Sequence, residues 1–348
     1  MMIKNKYLVL SLVTQIVLSF NAKADNLCGE NCTYSKIENG VDAKGNPTYT
    51  LKIEPIDSTK PASIKDYERK GYENKETYEW YLGTHEVAPW ASDTSITKLE
   101  ISEGVVSVGR HAFTNMNSVT EVKFNDGLKT ISEVAFYQTN IKKFDFPDSL
   151  ETIKNYAIAI GAEEINMPES MTRIGNKAFS RINVENFVVP SGVNEISVLA
   201  FGDGSWDHSE IKNIYCPRQL SGQCAAAVAV HGDENGVNVV DYEIENGLYK
   251  FEDNYYAFAD DMVKKTNPCE NIENCQKQLL EAKGVCKSSD CTTLVKSANA
   301  GQLLKVGSKT YQSLNALITG NFDVRRIYTV DEANFVAGEK NRVSIKYR

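Results

Sequence analysis

The sequence predicts a short solenoid of parallel strands, with a β cap before it and a small cysteine-containing α+β domain after it. Three observations predict this. Seven apolar positions return at fixed spacing in five successive copies, turn residues recur at one place in every copy, and eight cysteines fall into four close couples. With 348 residues, two or three domains are expected. Apolar residues are 42% and charged residues 24%, which is ordinary globular usage and argues against wholesale disorder. The formal charge is −8 and no block of Lys or Arg is present. A nucleic-acid binder needs a basic face, so that class is set aside.

Residues 1–24 read as a secretory signal peptide. Lys4 and Lys6 precede a mostly apolar run from Tyr7 to Phe20, too short for a bilayer span. Ala22-Lys23-Ala24 supplies the small-x-small pattern for cleavage before Asp25. Ser11, Thr14, Gln15 and Ser19 dilute the run, against an uncleaved anchor. Cleavage would remove three lysines and no acid, moving the formal charge from −8 to −11. The expected location is exported: secreted, periplasmic or cell surface, with no transmembrane segment after cleavage.

Residues 25–95 form the expected N-terminal cap. Thr48 to Ile53 alternates like a strand, and a Cys28–Cys32 bridge would close a turn before it. Solenoid ends expose apolar surface and need covering, so Trp80 and Trp90 are read as cap core rather than as ligand-stacking residues.

Residues 96–217 hold the repeats. Offsets 0, +3, +5, +9, +12, +16 and +17 give Ile96, Leu99, Ile101, Val105, Val108, Ala112 and Phe113 in the first copy. Copies starting at Val119, Ile141, Ala162 and Val184 follow, and all 35 marked positions are apolar. A 42% apolar background does not produce that by chance. A partial sixth copy begins at Ile211. Offsets +3 and +5 have the period of a strand with one buried face. Pro147, Pro168, Pro190 and Pro217 at +6 end the strand, because proline lacks the ladder N–H. Gly104, Gly127, Ser149, Ser170 and Gly192 at +8, each after an acid or Ser, supply turn chemistry. One such unit cannot bury its apolar side alone, but a stack of five or six can.

The runs Gly104-Val105-Val106-Ser107-Val108-Gly109-Arg110-His111-Ala112-Phe113 and Met171-Thr172-Arg173-Ile174-Gly175-Asn176-Lys177-Ala178-Phe179 resemble the recurring core of the BspA-like leucine-rich repeat family of surface proteins. Val, Ile, Phe and Met replace most of the leucines. The resemblance covers about 120 residues and implies a leucine-rich-repeat solenoid of short parallel strands, a binding role and no catalysis. Some members of that family are adhesins for host matrix proteins or other bacteria.

Residues 218–348 are read as the α+β domain. A strand is expected over Val237 to Glu243 and a tyrosine-rich hairpin from Gly247 to Phe258, turning at Glu252-Asp253-Asn254. Helical spacing covers Cys275 to Lys283 and Ser313 to Thr319. Thr329-Val330-Asp331-Glu332 is a capping box, and Arg342 to Tyr347 alternates as a closing strand. Export implies an oxidising compartment, so local pairing is the simplest assignment: Cys28–Cys32, Cys216–Cys224, Cys269–Cys275 and Cys286–Cys291. Such small loops pin turns, each contributing less than the ~3 kcal/mol of a 15-residue loop. No cysteine or histidine spacing matches a zinc site.

Chemistry finds little support. No zincin, nucleophile-elbow, P-loop or dinucleotide fingerprint is present. Gly202 to His208 is rich in oxygen ligands but lacks calcium-loop spacing and reads as a solvated insertion. Tyr249, Tyr255 and Tyr256 could form a sugar platform or pack across a hairpin. No enzyme activity, cofactor or metal is therefore expected. Two readings of function remain: protein binding or adhesion through the repeats, or binding of an envelope glycan by the C-terminal domain with the repeats as spacer.

A ligand-binding patch is expected where side chains at +2 and +4 face outward. Lys98, Glu121, Lys143 and Glu164 at +2, with Glu100, Lys123 and Asp145 at +4, alternate in sign. The charge then stops, leaving Asn166, Asn186, Val188, Asn213 and Tyr215. Interfaces favour aromatics and disfavour charge at their centre. The competing reading has the C-terminal domain covering the patch, with Tyr215 as packing. Export carries its own prediction. The intact mass of the exported chain should correspond to an N-terminus at Asp25, and retention of residues 1–24 would refute cleavage.

Overall fold

A computed structural model of the chain describes residues 27–67, 86–158, 161–202, 209–229, 236–287, 289–306, 309–311 and 313–318. Residues 1–24, expected to be a signal peptide, Trp80, most of the Gly202–His208 stretch, and the segments expected to form a capping box at Thr329 and a strand over Arg342 to Tyr347 lie outside the described residues.

The cap is built from β1 (Leu27–Glu30), β2 (Cys32–Val41), β3 (Pro47–Pro55) and β4 (Ala62–Ile64). Each repeat then adds two strands. The first strands are β5 (Ile96–Ile101), β7 (Glu121–Phe124), β9 (Lys143–Asp145), β11 (Glu164–Asn166), β13 (Asn186–Val188) and β15 (Asn213–Pro217). The second strands are β6 (Val105–Val108), β8 (Thr130–Ile131), β10 (Thr152–Ile153), β12 (Arg173–Ile174) and β14 (Glu195–Ile196). Equal offsets pair in parallel register: Lys98 with Glu121, Thr130 with Thr152, Arg173 with Glu195. The second apolar stretch of each copy is thus a ladder in its own right. Within the cap, β3 extends the first ladder by pairing parallel with β5, and β4 extends the second by pairing with β6. Antiparallel β1 and β2 join them, so one eleven-stranded sheet wraps over the N-terminal end.

The core is the set of marked positions. All are buried except Val122, Phe124, Ile165, Met167 and Val184, which pack half-buried against it. Phe113 and Phe136 stack at 5.2 Å and Phe179 and Phe201 at 6.3 Å, with the fully buried Ile158 in the intervening copy. Trp90 of the cap continues the column, stacked 5.8 Å from Phe113 and donating its indole N–H to Ala112 O at 2.7 Å. It is 2% exposed, as cap core should be. A third ladder runs beside the column. The N–H of each residue at +17 reaches the carbonyl at +16 of the next copy: Phe113 to Ala135, Phe136 to Ala157, Ile158 to Ala178 and Phe179 to Ala200, all within 2.9–3.0 Å. The preceding turn holds His111, Val134, Tyr156 and Lys177 at φ between +52° and +61°. Left-handed backbone costs a non-glycine residue roughly 1 kcal/mol or more, and here the N–H to carbonyl bonds between copies hold it.

At the C-terminal end, α1 (Ser221–Ala229) closes the second ladder: Gln223 Oε1 accepts from Ile196 N at 3.0 Å. Leu220, Cys224, Ala227 and Val228 join the repeat core, and Cys216–Cys224 ties α1 to β15. The first ladder continues through β16 (Asn238–Glu245), parallel to β15, into the hairpin β17 (Leu248–Phe251) and β18 (Asn254–Tyr256). Then come α2 (Ala259–Lys264), α3 (Ile272–Ala282), α4 (Ser289–Asn299), the hairpin β19 (Leu304–Val306) and β20 (Lys309–Tyr311), and α5 (Leu314–Ile318). β16, the first hairpin, α3 and α5 coincide with the strand, hairpin and helical spacings of the sequence, whereas α1, α2, α4 and the second hairpin lie outside those patterns. All four cysteine couples are disulfides. The hairpin–helix β17–β18–α2 recurs as β19–β20–α5, and without gaps Leu248, Lys250 and Tyr256 become Leu303, Lys305 and Tyr311.

Phe136 contacts Phe113, Phe124 and Phe144 and is fully buried. Phe136→Ala should therefore cost ~3–5 kcal/mol, read by chemical denaturation. A variant as stable as the parent would show that the column carries no such load.

Candidate binding face and the buried carboxylate

The first ladder presents its +2 and +4 side chains outward, and neighbours in register neutralise one another. Lys98 pairs with Glu121 and Lys143 with Glu164, each at 2.7 Å. Glu100 stands in register with Lys123. Asn166 donates to Asp145 and closes the charged stretch. Beyond it Asn213 Nδ2 reaches Asn186 Oδ1 at 2.8 Å, and Asn238 Nδ2 reaches Asn213 Oδ1 at 3.2 Å. β16 thus adds a third amide to a neutral ladder that the repeats alone do not complete.

The five residues singled out from the sequence separate here. Asn166 is exposed; Asn186, Val188 and Asn213 are half-buried. Tyr215 is 8% exposed, edge-on to Phe251 at 5.9 Å, in a cluster with Tyr242, Tyr249, Tyr256 and Met262. The expectation of an exposed Tyr215 is therefore corrected. Because β16 extends the first ladder, its hairpin and α2 fold back over the last repeat and cover the ring. Tyr249 and Tyr256 are likewise buried as a cross-strand pair, and Tyr255 donates to Glu245 at 2.9 Å, so the three do not form an exposed sugar platform.

A further group, not among the residues singled out from the sequence, lies at offset +7. Asp148, Glu169 and Ser191 occupy that offset in successive copies, so stacking brings them together. Ser191 donates to Glu169 Oε2 through its N–H at 2.8 Å and its hydroxyl at 2.7 Å. Tyr249 OH donates to Glu169 Oε1 from the hairpin, and Lys283 Nζ, at the end of α3, lies 3.6 Å from Asp148 Oδ1. Gly192 permits this closure: a Cβ there would stand 2.1 Å from Glu169 O. Beside these groups lies a cavity of about 180 Å³. It adjoins an open cleft of about 470 Å³ between β11, β13 and α2, with Met167, Glu169 and Tyr249 lining both. Nearby, Tyr242 OH reaches Val189 O at 2.6 Å.

Burial pushes the Glu169 carboxyl above its ordinary range, and the Asp148 charge adds to this; the Ser191 hydrogen bonds and Lys283 pull the other way without cancelling it. Burial, with the Glu169 charge, likewise raises Tyr242 well above a free tyrosine. These groups can hold the C-terminal elements on the repeats. Among the described residues no cluster of His, Cys, Asp and Glu is placed to hold a metal ion, and no helix is long and apolar enough to cross a membrane.

An acid whose folded pKa lies above its unfolded value of 4.5 stabilises the fold below that value. The contribution is lost as pH rises through the folded pKa. Glu169→Gln should therefore melt above the parent at pH 8 and level with it at pH 4. A gap that stays constant with pH would contradict the buried, proton-holding carboxyl.

Comparison with known proteins bears on the repeats. The model of the BspA type leucine rich repeat region matches residues 90–206 in six copies. No curated protein matches the chain. A leucine-rich repeat protein from Eubacterium ventriosum aligns with 62% of this chain and 48% of its own, at 18% identity and TM-score 0.39, so the chain spans about half that protein's length. A leucine rich cell surface protein from Faecalibacterium prausnitzii aligns at 14% identity and TM-score 0.28, over 62% of this chain and 56% of its own. The T. pallidum leucine rich repeat protein aligns at 20% identity and TM-score 0.24, over 52% and 68%. With the apolar offsets, the stacked strands and the family match in agreement, the chain carries a BspA type leucine rich repeat region over residues 90–206.

Proposed function

We propose that the chain is an exported, non-catalytic binding protein that engages a protein partner with the outward face of its first ladder, near the C-terminal end of the repeats. One observation carries the reading. The charge on that face is paired off rung by rung and then gives way to the amides of Asn186, Asn213 and Asn238 beside a half-apolar cleft. Exposed ion pairs contribute little, and interface centres are depleted of charge. Secretion or surface display, and an adhesive role, belong to the same proposal. They rest on the reading of residues 1–24 and on the repeat family.

The full chain and an Asn213→Lys variant, used as matched baits at equal concentration, test this. A partner held by the parent should be lost roughly tenfold by the variant, with the melting temperature unchanged. A partner held equally by both would move binding off this face, and a glycan held by both would favour the C-terminal domain as binder.

A further inference from the structure

The first ladder is not continuous. No backbone hydrogen bond joins β7 to β9 or β11 to β13 among the described residues, although β9–β11 and β13–β15 pair normally. The five marked positions that are only half-buried flank these two breaks: Val122 and Phe124 at the first, and Ile165, Met167 and Val184 at the second. At the first break aromatic side chains fill the opening, with Phe124 packed 5.8 Å from Phe136 and 5.5 Å from Phe146. At the second the side chains are smaller and the cleft of about 470 Å³ remains. Behind it the second ladder is intact, with Arg173 and Ile174 paired to Glu195 and Ile196. Copies four and five are thus stacked at the back and, at the front, joined at either end, where Asn183 N bonds Ala162 O at 2.7 Å and Ser191 N bonds Glu169 Oε2 at 2.8 Å, and parted only between β11 and β13.

The direction of the main-chain groups follows from the pairs that do form. In a parallel ladder, one residue directs both its N–H and its C=O to one side, and the next directs both to the other. Glu164 N bonds Lys142 O and Asn166 O accepts from Phe146 N, so Glu164 and Asn166 face β9. Ile165 and Met167 therefore face the cleft. On the other wall Glu185 O accepts from Asn213 N and Val189 N bonds Tyr215 O, so Asn186 and Val188 face the cleft. Both walls offer ladder donors and acceptors with no partner among the described residues, and such groups are satisfied by another extended chain. The floor is apolar: Ile165, Met167, Val184 and Val188. Four exposed carboxylates and one ammonium line the cleft, Glu163, Glu164, Glu185, Asp260 and Lys264, with the buried Glu169 carboxyl below them. The rim lysine partners of Glu163, Glu164 and Glu185 sit in exposed pairs at 2.7–3.0 Å, which an incoming cation can replace at little cost.

We infer that the cleft between β11 and β13 is a docking slot for an extended polypeptide segment of a partner protein, added as a strand between them. The segment places apolar side chains on the floor and Lys or Arg side chains among the rim carboxylates. This rests on the proposed protein-binding role and specifies the partner's chemistry and mode of binding.

Three fluorescent peptides of about 7 residues test it. One alternates valine with lysine, one valine with glutamate, and the third is the lysine peptide N-methylated on alternate backbone nitrogens. Titrated against the full chain, the lysine peptide should bind roughly tenfold tighter than the glutamate peptide, and methylation should cost a similar factor. Hydrogen exchange at the Asn186 and Val188 amides should slow only when the unmethylated lysine peptide is bound. Absence of binding, equal binding of the methylated form, or binding that leaves those two amides unprotected would overturn the slot. Asn213 lies outside the cleft lining. A partner sensitive to Asn213→Lys, together with peptides that fail these criteria, would overturn the slot alone and leave the face as the binding surface.

Discussion

The fold depends on one hydrogen bond repeated between copies, from the N–H of the residue at +17 to the alanine carbonyl at +16 of the next copy. It fixes the step of the solenoid at the place where the aromatic column stacks. Small alanines at +16 let the turns approach, and the large residue beside each fills the core beneath. Because each copy's polar and apolar needs are met by its neighbour, the stack has no reason of its own to stop. The left-handed residues of the turn are held by bonds of the same kind, so the strain is spread along the stack and offset copy by copy.

The ends are therefore where other sequence must intervene, and the two ends do it differently. At the N-terminus β3 and β4 copy both ladders before the first repeat, and Trp90 stands in for the next phenylalanine. Antiparallel β1 and β2, pinned by Cys28–Cys32, then turn the sheet over the opening. At the C-terminus the two ladders receive different treatment. The helix α1 stops the second, with Gln223 taking the Ile196 N–H that a further copy would have taken. The first is prolonged by β16, and this asymmetry sends the tyrosine-rich hairpin back across the last repeat, where Tyr249 and Lys283 meet the acid column at Glu169 and Asp148.

That return decides which part of the repeat face remains available. It buries the aromatic that the repeats would otherwise expose and adds Asn238 to the amide ladder. It also lays α2 along one side of the parted strands. The proposed binding surface is thus a joint product of the repeats and of the elements that close them, near the place where the first ladder opens.

The repeats, their period, the strand phase, the cysteine couples and the buried role of Trp90 were all legible in the sequence. Each of these rests on local spacing: stacking superposes equal offsets, and short loops bring their own cysteines together. The same superposition would have revealed the Asp148–Glu169–Ser191 column, since all three share one offset, although its burial depends on the hairpin that covers it. Other features were decided only by the tertiary structure. The left-handed turns at His111, Val134, Tyr156 and Lys177 carry no glycine to mark them, because bonds between copies enforce them. The cover over Tyr215 depends on β16 pairing parallel to β15, a contact between segments separated by the α1 connection, and the parting of β11 from β13 depends on how the side chains of two copies fill the space between them. Spacing along the chain states which residues share a face; it does not state what lies over that face or where neighbouring strands separate.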